Sequence, residues 1–308
     1  MTRAAGIDVG GTKFLGVVID DHGEVIVELR RPTPEGADAL ISGLIEFAGE
    51  LASHEALSTG ASAETPGHDT AGYDTLGVGV PGLVTRDGVL RAAPNLMRAF
   101  EVRVGPLLSE ALGRPVAVDN DATCAVLAEW QHGAARGFDD VVLVTLGTGI
   151  GGGLVMGGHL QRGTNGFAGE IGHIVVQPDG PFCPCGRRGC WERFASGRGL
   201  QMLAGGRRGE EVVERARAGD REMLVVIDEF AHWVALGLVN LTNILDPACI
   251  VLGGGLTAAQ DLFLPPIARE FAALLYSPEH RPHPVLRFAE LGERAGAIGA
   301  ALLPTTHH

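Results

Sequence analysis

A chain of 308 residues, 45% apolar and 20% charged, has the length of about two domains and a globular composition, which excludes disorder over its whole length. Its 24 basic and 37 acidic residues leave a net charge of −13, the opposite of what nucleic acid or an anionic membrane attracts. An anionic substrate would need local help from backbone amides or a metal ion.

In chain order, AGIDVGGTKFLGVVID reads as strand, glycine turn and strand, and VIVELRR as a third strand after the turn signal DDHGE. Asp8 and the Gly10–Gly11 pair interrupt any secretory apolar core, and no run reaches the eighteen or so apolar residues that span a bilayer. Leu40, Leu44, Phe47 and Leu51 recur at helical spacing over 38–52. Residues 53–74, rich in Ser, Thr, Gly, Ala and Asp, read as a mobile surface loop with too few large apolar groups to pack. TLGVGVPGLV is a strand ending at Pro81 and Gly82, and PVAVDNDA a short strand leading into a helix over about 122–133. VVLVTLGTGIGGGLVMGGHL then repeats the opening layout, with TLGTG standing where DVGGT stood, which points to two related lobes. Helices follow near 197–204, 209–217 and 220–245, then the strand CIVLGGGL, a helix over 260–275, the strand VLRFAEL and an alanine-rich helix over 295–303. Alternating helices and strands make the class α/β.

Three strands end in glycine turns: DVGGTK from Asp8 to Lys13, TLGTG from Thr145 to Gly149, and the triple glycine at 253–255. Glycine lets backbone N–H groups face an anion with no Cβ in the way. An aspartate at the end of the first strand is placed to hold Mg²⁺ beside phosphates. Neither GxxxxGK[ST] nor a GxGxxG followed by a helix is present.

Three of the five cysteines, Cys183, Cys185 and Cys190, lie close together, and His173 precedes them. One imidazole and three thiolates are the ligand set of a structural zinc site. An odd count with one tight cluster favours metal binding in a reduced compartment over disulfides, so the protein reads as soluble and cytoplasmic. Cys124 and Cys249 fall on apolar patterns and read as core. Asn120 and Asp121 leave a strand and enter a helix, where Asp121 alone reads first as an N-cap rather than a base. Glu170 and Glu192 bracket the cysteine cluster, so zinc would draw both toward His173. Such a group of Asn, Asp, Glu and His suits a polyhydroxylated ligand.

DVGGTK, GVPG at 79–82, NDA at 120–122, LGTGIGGG at 146–153 and EIGH followed by CPCGRRGCWE together resemble the ROK family of sugar kinases and repressors, over most of the chain. The resemblance implies an actin-like (ribonuclease H-like) α/β fold of two lobes, with ATP between them and a hexose deep in a central cleft. The lobes are expected at 1–118, completed by the C-terminal helix 295–308, and at 119–294, which carries the zinc motif. The resemblance makes Asp121 the catalytic base, and Gly82, Asn95, Asn120, Asp121, Glu170, His173 and Glu192 the hexose contacts. It places Gly10, Gly11, Thr12, Thr148 and Gly254 at the nucleotide, to which the glycine turns themselves add Asp8, Lys13 and Gly149. His173, Cys183, Cys185 and Cys190 match the family's zinc ligands.

The segment from GEIGH to FASGR most resembles bacterial ATP-dependent glucokinases, so the expected reaction is glucose to glucose 6-phosphate with ATP and Mg²⁺. N-acetylhexosamine (GlcNAc or ManNAc), fructose and allose kinases share the motifs. Polyphosphate-using relatives tend to lack the cysteine cluster, which points to ATP. A first strand at residue 5 leaves no room for the winged helix of the family's repressors, and a non-catalytic sugar sensor has no use for Asp121. A homodimer or homotetramer is expected, with no nucleic-acid or membrane partner.

Overall fold

Ala4–Val9 (β1), Lys13–Ile19 (β2) and Val25–Pro32 (β3) form an antiparallel meander in the computed structural model, which describes residues 2–60, 72–93, 96 and 100–306. Helix Ala37–Ala52 (α1) turns Leu40, Leu44, Phe47 and Leu51 inward, the face its spacing predicts. Thr75–Val80 (β4) joins β1 in parallel. Leu83–Val84 (β5), Leu90–Ala92 (β6) and Phe100–Val102 (β7) make a separate small sheet. Helix Val104–Leu112 (α2) leads to Val116–Asn120 (β8), parallel to β4, and to helix Asp121–His132 (α3). The first sheet thus has the order β3-β2-β1-β4-β8.

The second half repeats this plan. Val141–Leu146 (β9), Ile150–Met156 (β10) and His159–Leu160 (β11) are followed by helices Glu192–Ala195 (α4), Gly197–Leu203 (α5), Gly209–Arg217 (α6) and Arg221–Leu245 (α7). Cys249–Gly253 (β12), helix Gln260–Leu274 (α8) and Val285–Phe288 (β13) complete the order β11-β10-β9-β12-β13. Among the described residues α7 is the one helix long and apolar enough to cross a membrane. Met223, Ile227, Phe230, Val234 and Leu238 on α7 belong to the second unit's core, so its apolar character is spent on packing.

The last helix, Ala295–Leu302 (α9), lies against β1 and β4 at close range. A Cβ on Gly6 or Gly77 would stand 1.9 Å from the carbonyl oxygen of Ala297 or Ala300. Small residues on both sides of this contact account for some of the chain's 46 glycines and for the alanine-rich end.

The chain divides into two compact units, Met1–Gly133 with Leu160–Ala168 and Glu293–His308, and Ala134–His159 with Gly169–Gly292. The division therefore falls after Gly133 and not after residue 118, because β8 is hydrogen-bonded into the first sheet and α3 packs on α9. Short segments were the hardest to foresee. Strands β6 and β7 are too brief for any period to show, and Pro106 disguises α2, although it stands in the first turn, where its missing N–H has no partner to lose. The expected mobile loop at 53–74 is packed at both ends. Glu55–Gly60 forms a 3-10 turn with Leu57 buried, and the buried Tyr73 donates its hydroxyl to the Ala48 carbonyl at 3.0 Å. The intervening 61–71 lie outside the described residues.

Candidate active site

Strand β8 carries Asp119 and Asn120 to the end of the first sheet, and α3 starts at Asp121. The helix cap is Asn120 and not Asp121. Its Oδ1 accepts from the amides of Ala122 at 2.9 Å and Thr123 at 3.2 Å, and its Nδ2 donates to the Gly82 carbonyl at 3.0 Å. Gly82 has φ +101°, and a Cβ there would lie 2.1 Å from the Ala92 oxygen, so the position requires glycine. Asp121 Oδ1 accepts from the Ala122 amide at 2.8 Å, which orients the carboxyl. Its surface stays partly accessible, yet its depth below the surface holds the carboxyl above the usual range.

Asp8 stands opposite Gly79 in the β1–β4 register. A Cβ on Gly79 would be 3.6 Å from both Asp8 Oδ1 and Asp121 Cα, so the two aspartates flank this glycine. Burial first, then the Asp121 charge, pushes the Asp8 carboxyl up to about 7 against the pull of Lys13. The Asp8 carboxyl, a deep hard oxygen donor beside the turn after β1, fits a Mg²⁺ ion. Gly10, Gly11 and Thr12 form the turn after β1, pinned by Gly10 N–H to the Lys13 carbonyl at 2.9 Å and by the Thr33 hydroxyl to the Gly10 carbonyl at 2.7 Å. Gly11 and Thr12 are exposed. Lys13 is engaged with Glu293 at 2.8 Å, an exposed pair of small energetic weight.

In the second unit, His173, Cys183, Cys185 and Cys190 bring one Nδ1 or Nε2 and three Sγ atoms within 4.8 Å of one another. Cys185 and Cys190 Sγ are 3.5 Å apart, and Cys183 Sγ lies 3.8 Å from His173 Nδ1. Tetrahedral zinc with bonds of roughly 2.3 Å to sulfur spaces its ligands at about 3.7 Å, so the four residues fit that ion. Burial pushes the Cys183 thiol up to about 12, so a cation is needed for it to serve as a thiolate. The other face of the imidazole is turned elsewhere: His173 Nε2 lies 3.9 Å from a Glu170 carboxylate oxygen. Glu192 bridges the cysteine cluster and the second glycine turn. Its Oε1 accepts from Cys183 Sγ at 3.4 Å, its Oε2 accepts from the Ile150 amide at 3.4 Å, and a Cβ on Gly149 would stand 2.6 Å from that oxygen.

Strands β9 and β12 run parallel and both end in glycine turns, with the Gly254 Cβ position 2.5 Å from the Leu146 carbonyl. Beside them opens a cavity of about 920 Å³, lined by Gly147, Thr148, Arg198, Glu214, Gly255 and Phe263 among others. Its size and mixed apolar and charged wall suit a nucleoside with phosphates.

The first unit therefore holds Asp8, Gly10, Gly11, Thr12, Lys13, Gly82, Asn120 and Asp121, and the second holds Thr148, Gly149, Glu170, His173, Glu192, Gly254 and the three cysteines. Asn95 lies outside the described residues. Two features escaped sequence reading. One is Arg198 on the cavity wall, since helical periodicity does not tell which polar face meets a ligand. The other is a shielded ion pair between Arg162 and Asp119 at 2.5 Å, whose partners are too far apart in sequence to signal each other.

The fold and these sites define an actin-like α/β protein of two domains, as in its structural neighbours. The chain belongs to the ROK family, which it matches over residues 4–307. It is 33% identical to a glucokinase of Streptomyces coelicolor, covering 98% of this chain and 97% of that one, and 36% identical to a glucokinase of Halalkalibacterium halodurans, covering 97% and 93%. The crystal structure of a ROK family glucokinase from Streptomyces griseus, in complex with glucose and AMPPNP, matches with a TM-score of 0.80 at 34% identity over 98% of this chain and 99% of that one. Similar proteins also include an N-acetyl-D-glucosamine kinase of Pectobacterium atrosepticum, 34% identical over 97% of both chains. A xylose repressor of Bacillus subtilis is 28% identical over 99% of this chain and 77% of that one.

Proposed function

We propose that this protein transfers the terminal phosphoryl group of ATP to the 6-hydroxyl of a hexose, glucose foremost, giving glucose 6-phosphate and ADP. The observation that carries this reading is the division of labour at the start of α3. Asn120 caps the helix, which leaves the Asp121 carboxylate for chemistry. Asp121 takes the proton of the attacking hydroxyl as the new O–P bond forms and the bond to ADP breaks. Asn120 and Gly82 of the first unit, Glu170, His173 and Glu192 of the second, and Asn95 serve the sugar as contacts. Gly10, Gly11, Thr12, Thr148, Gly149 and Gly254 serve the nucleotide, with Lys13 near its phosphates. Bound at Asp8, Mg²⁺ would supply charge neutralisation at the phosphates.

In this reading zinc is structural, held by His173 through Nδ1 and by Cys183, Cys185 and Cys190. Nε2 of His173 then stays available to a hydroxyl. The enzyme would work in the cytoplasm, in glycolysis, as a homodimer or homotetramer. A second reading, an N-acetylhexosamine or fructose kinase, is favoured by the similarity to the Pectobacterium kinase. The repressor relative supports a third, a sugar-sensing protein without catalysis.

One experiment separates the three. A coupled assay of ADP release over glucose, mannose, fructose, GlcNAc and ManNAc should give its highest kcat/KM with glucose. A higher value with an N-acetylated sugar or fructose moves the assignment to that sugar, and no ADP release with any of them removes the kinase reading.

A further inference from the structure

We propose that Arg162 is a positioning residue for the catalytic turn, holding Asn120 and Asp121 in place through Asp119. The inference rests on Asp121 being the base. Arg162 comes from Leu160–Ala168, a stretch that belongs to the first unit although both flanking stretches belong to the second. Its Nε donates to Asp119 Oδ2 at 2.5 Å and its Nη2 to the Thr306 hydroxyl at 3.2 Å. With only 11% and 6% of the two side chains exposed, the pair is shielded from water, unlike the protein's surface ion pairs.

Asp119 is not merely neutralised there. Its Oδ1 accepts the backbone N–H of Asn120 at 2.8 Å, and Asn120 in turn caps α3 and reaches Gly82. One line of hydrogen bonds therefore runs from the guanidinium to the first turn of the helix that Asp121 begins. The stretch bearing Arg162 is itself tied down, because Arg86 donates Nε and Nη2 to the Gly163 carbonyl at 2.9 and 2.7 Å. The Cys124 thiol in the same turn senses the carboxylates of Asp8, Asp119 and Asp121 and one opposing cation, Arg162. Loss of the guanidinium takes from Asp119 Oδ2 its charged donor, so the carboxylate that receives the Asn120 amide is no longer anchored to Arg162.

A cavity of about 310 Å³ lined by Arg162, Asp119, Arg86 and Ser109 opens beside the pair, so a small cation can enter the space left by a shortened side chain. The test is steady-state kinetics on Arg162→Gln, Arg162→Lys and Arg162→Ala. A misplacement of about 1 Å costs on the order of 100-fold, so Arg162→Gln should lower kcat by about 10- to 100-fold. KM for hexose and ATP should stay near wild type, and Arg162→Lys should recover most of the loss. Millimolar guanidinium ion, but not equal sodium chloride or urea, should raise kcat of Arg162→Ala. An unchanged kcat in folded Arg162→Gln, or a loss carried by KM alone, overturns the proposal. If Arg162→Gln does not fold, Asp119→Asn/Arg162→Gln removes both buried charges. There, lowered kcat at unchanged KM supports the proposal, and wild-type kcat overturns it. Asp121→Asn measured alongside keeps the two ideas apart. Wild-type turnover in that variant sinks the base assignment itself, whatever Arg162 does.

Discussion

Asn120 caps the helix that Asp121 begins, a structural task that either residue type can perform, so the cap does not depend on the Asp121 carboxylate. Asp121→Asn keeps size and shape but cannot accept the hydroxyl proton. Loss of a general base costs on the order of 10²–10⁴-fold in rate. Turnover should fall by that much while hexose affinity, read by calorimetry on the same variant, changes far less. The partner variant Asn120→Ala should instead lower stability to urea by about 1 kcal/mol, the usual worth of an N-cap. Near-normal turnover in Asp121→Asn would return Asp121 to a purely structural role.

The raised pKa of Asp8 has a sign that can be measured. Its carboxyl binds the proton more tightly in the folded protein, at about 7, than in the unfolded chain, at about 3.9. Its contribution to stability is complete below about pH 4 and is lost as pH rises through about 7. In chelator, Asp8→Asn should therefore resist urea better than wild type at pH 8, by at most about 4 kcal/mol, and lose that advantage at pH 4. Hexose phosphorylation should disappear in the same variant. An advantage that does not vary with pH would remove the buried charge as its cause.

Metal should be present at one zinc per chain by atomic absorption. Glu192 follows Cys190 by two residues and accepts the Ile150 amide, so the cysteine cluster and the second glycine turn are joined through one residue. Cys185→Ser should therefore lose metal and turnover together, although Cys185 lies at the exposed edge of the cluster. Full turnover after complete removal of zinc would show that the cluster does not hold the site.

Close packing of α9 on the first sheet gives a stability test away from the chemistry. A Cβ on Gly77 would stand 1.9 Å from the Ala300 carbonyl, so backbone must move. Gly77→Ala should cost about 1–3 kcal/mol in urea unfolding, the range for overpacked cores. A wild-type midpoint would mean that α9 can shift freely.

The main helices and strands were legible in the chain because each carries its own period and stop signals. The periodic face of α1, the helix over 209–217 and the duplicated strand–turn–strand all stand where their patterns put them. The donor set His173, Cys183, Cys185 and Cys190 was legible for a similar reason: few other arrangements use three nearby thiols and an imidazole. What the chain could not declare were relations between residues far apart in sequence. The unit boundary moved from 118 to 133 because membership depends on which sheet β8 joins and which helix α3 packs against. The N-cap passed from Asp121 to Asn120 because only backbone geometry decides which side chain reaches the free amides. The pairing of Arg162 with Asp119 and the flanking of Gly79 by Asp8 and Asp121 left no local trace at all. Local order follows from propensity and period, which act over a few residues, whereas electrostatic environment and contact are properties of the folded neighbourhood and arise only once distant segments have packed.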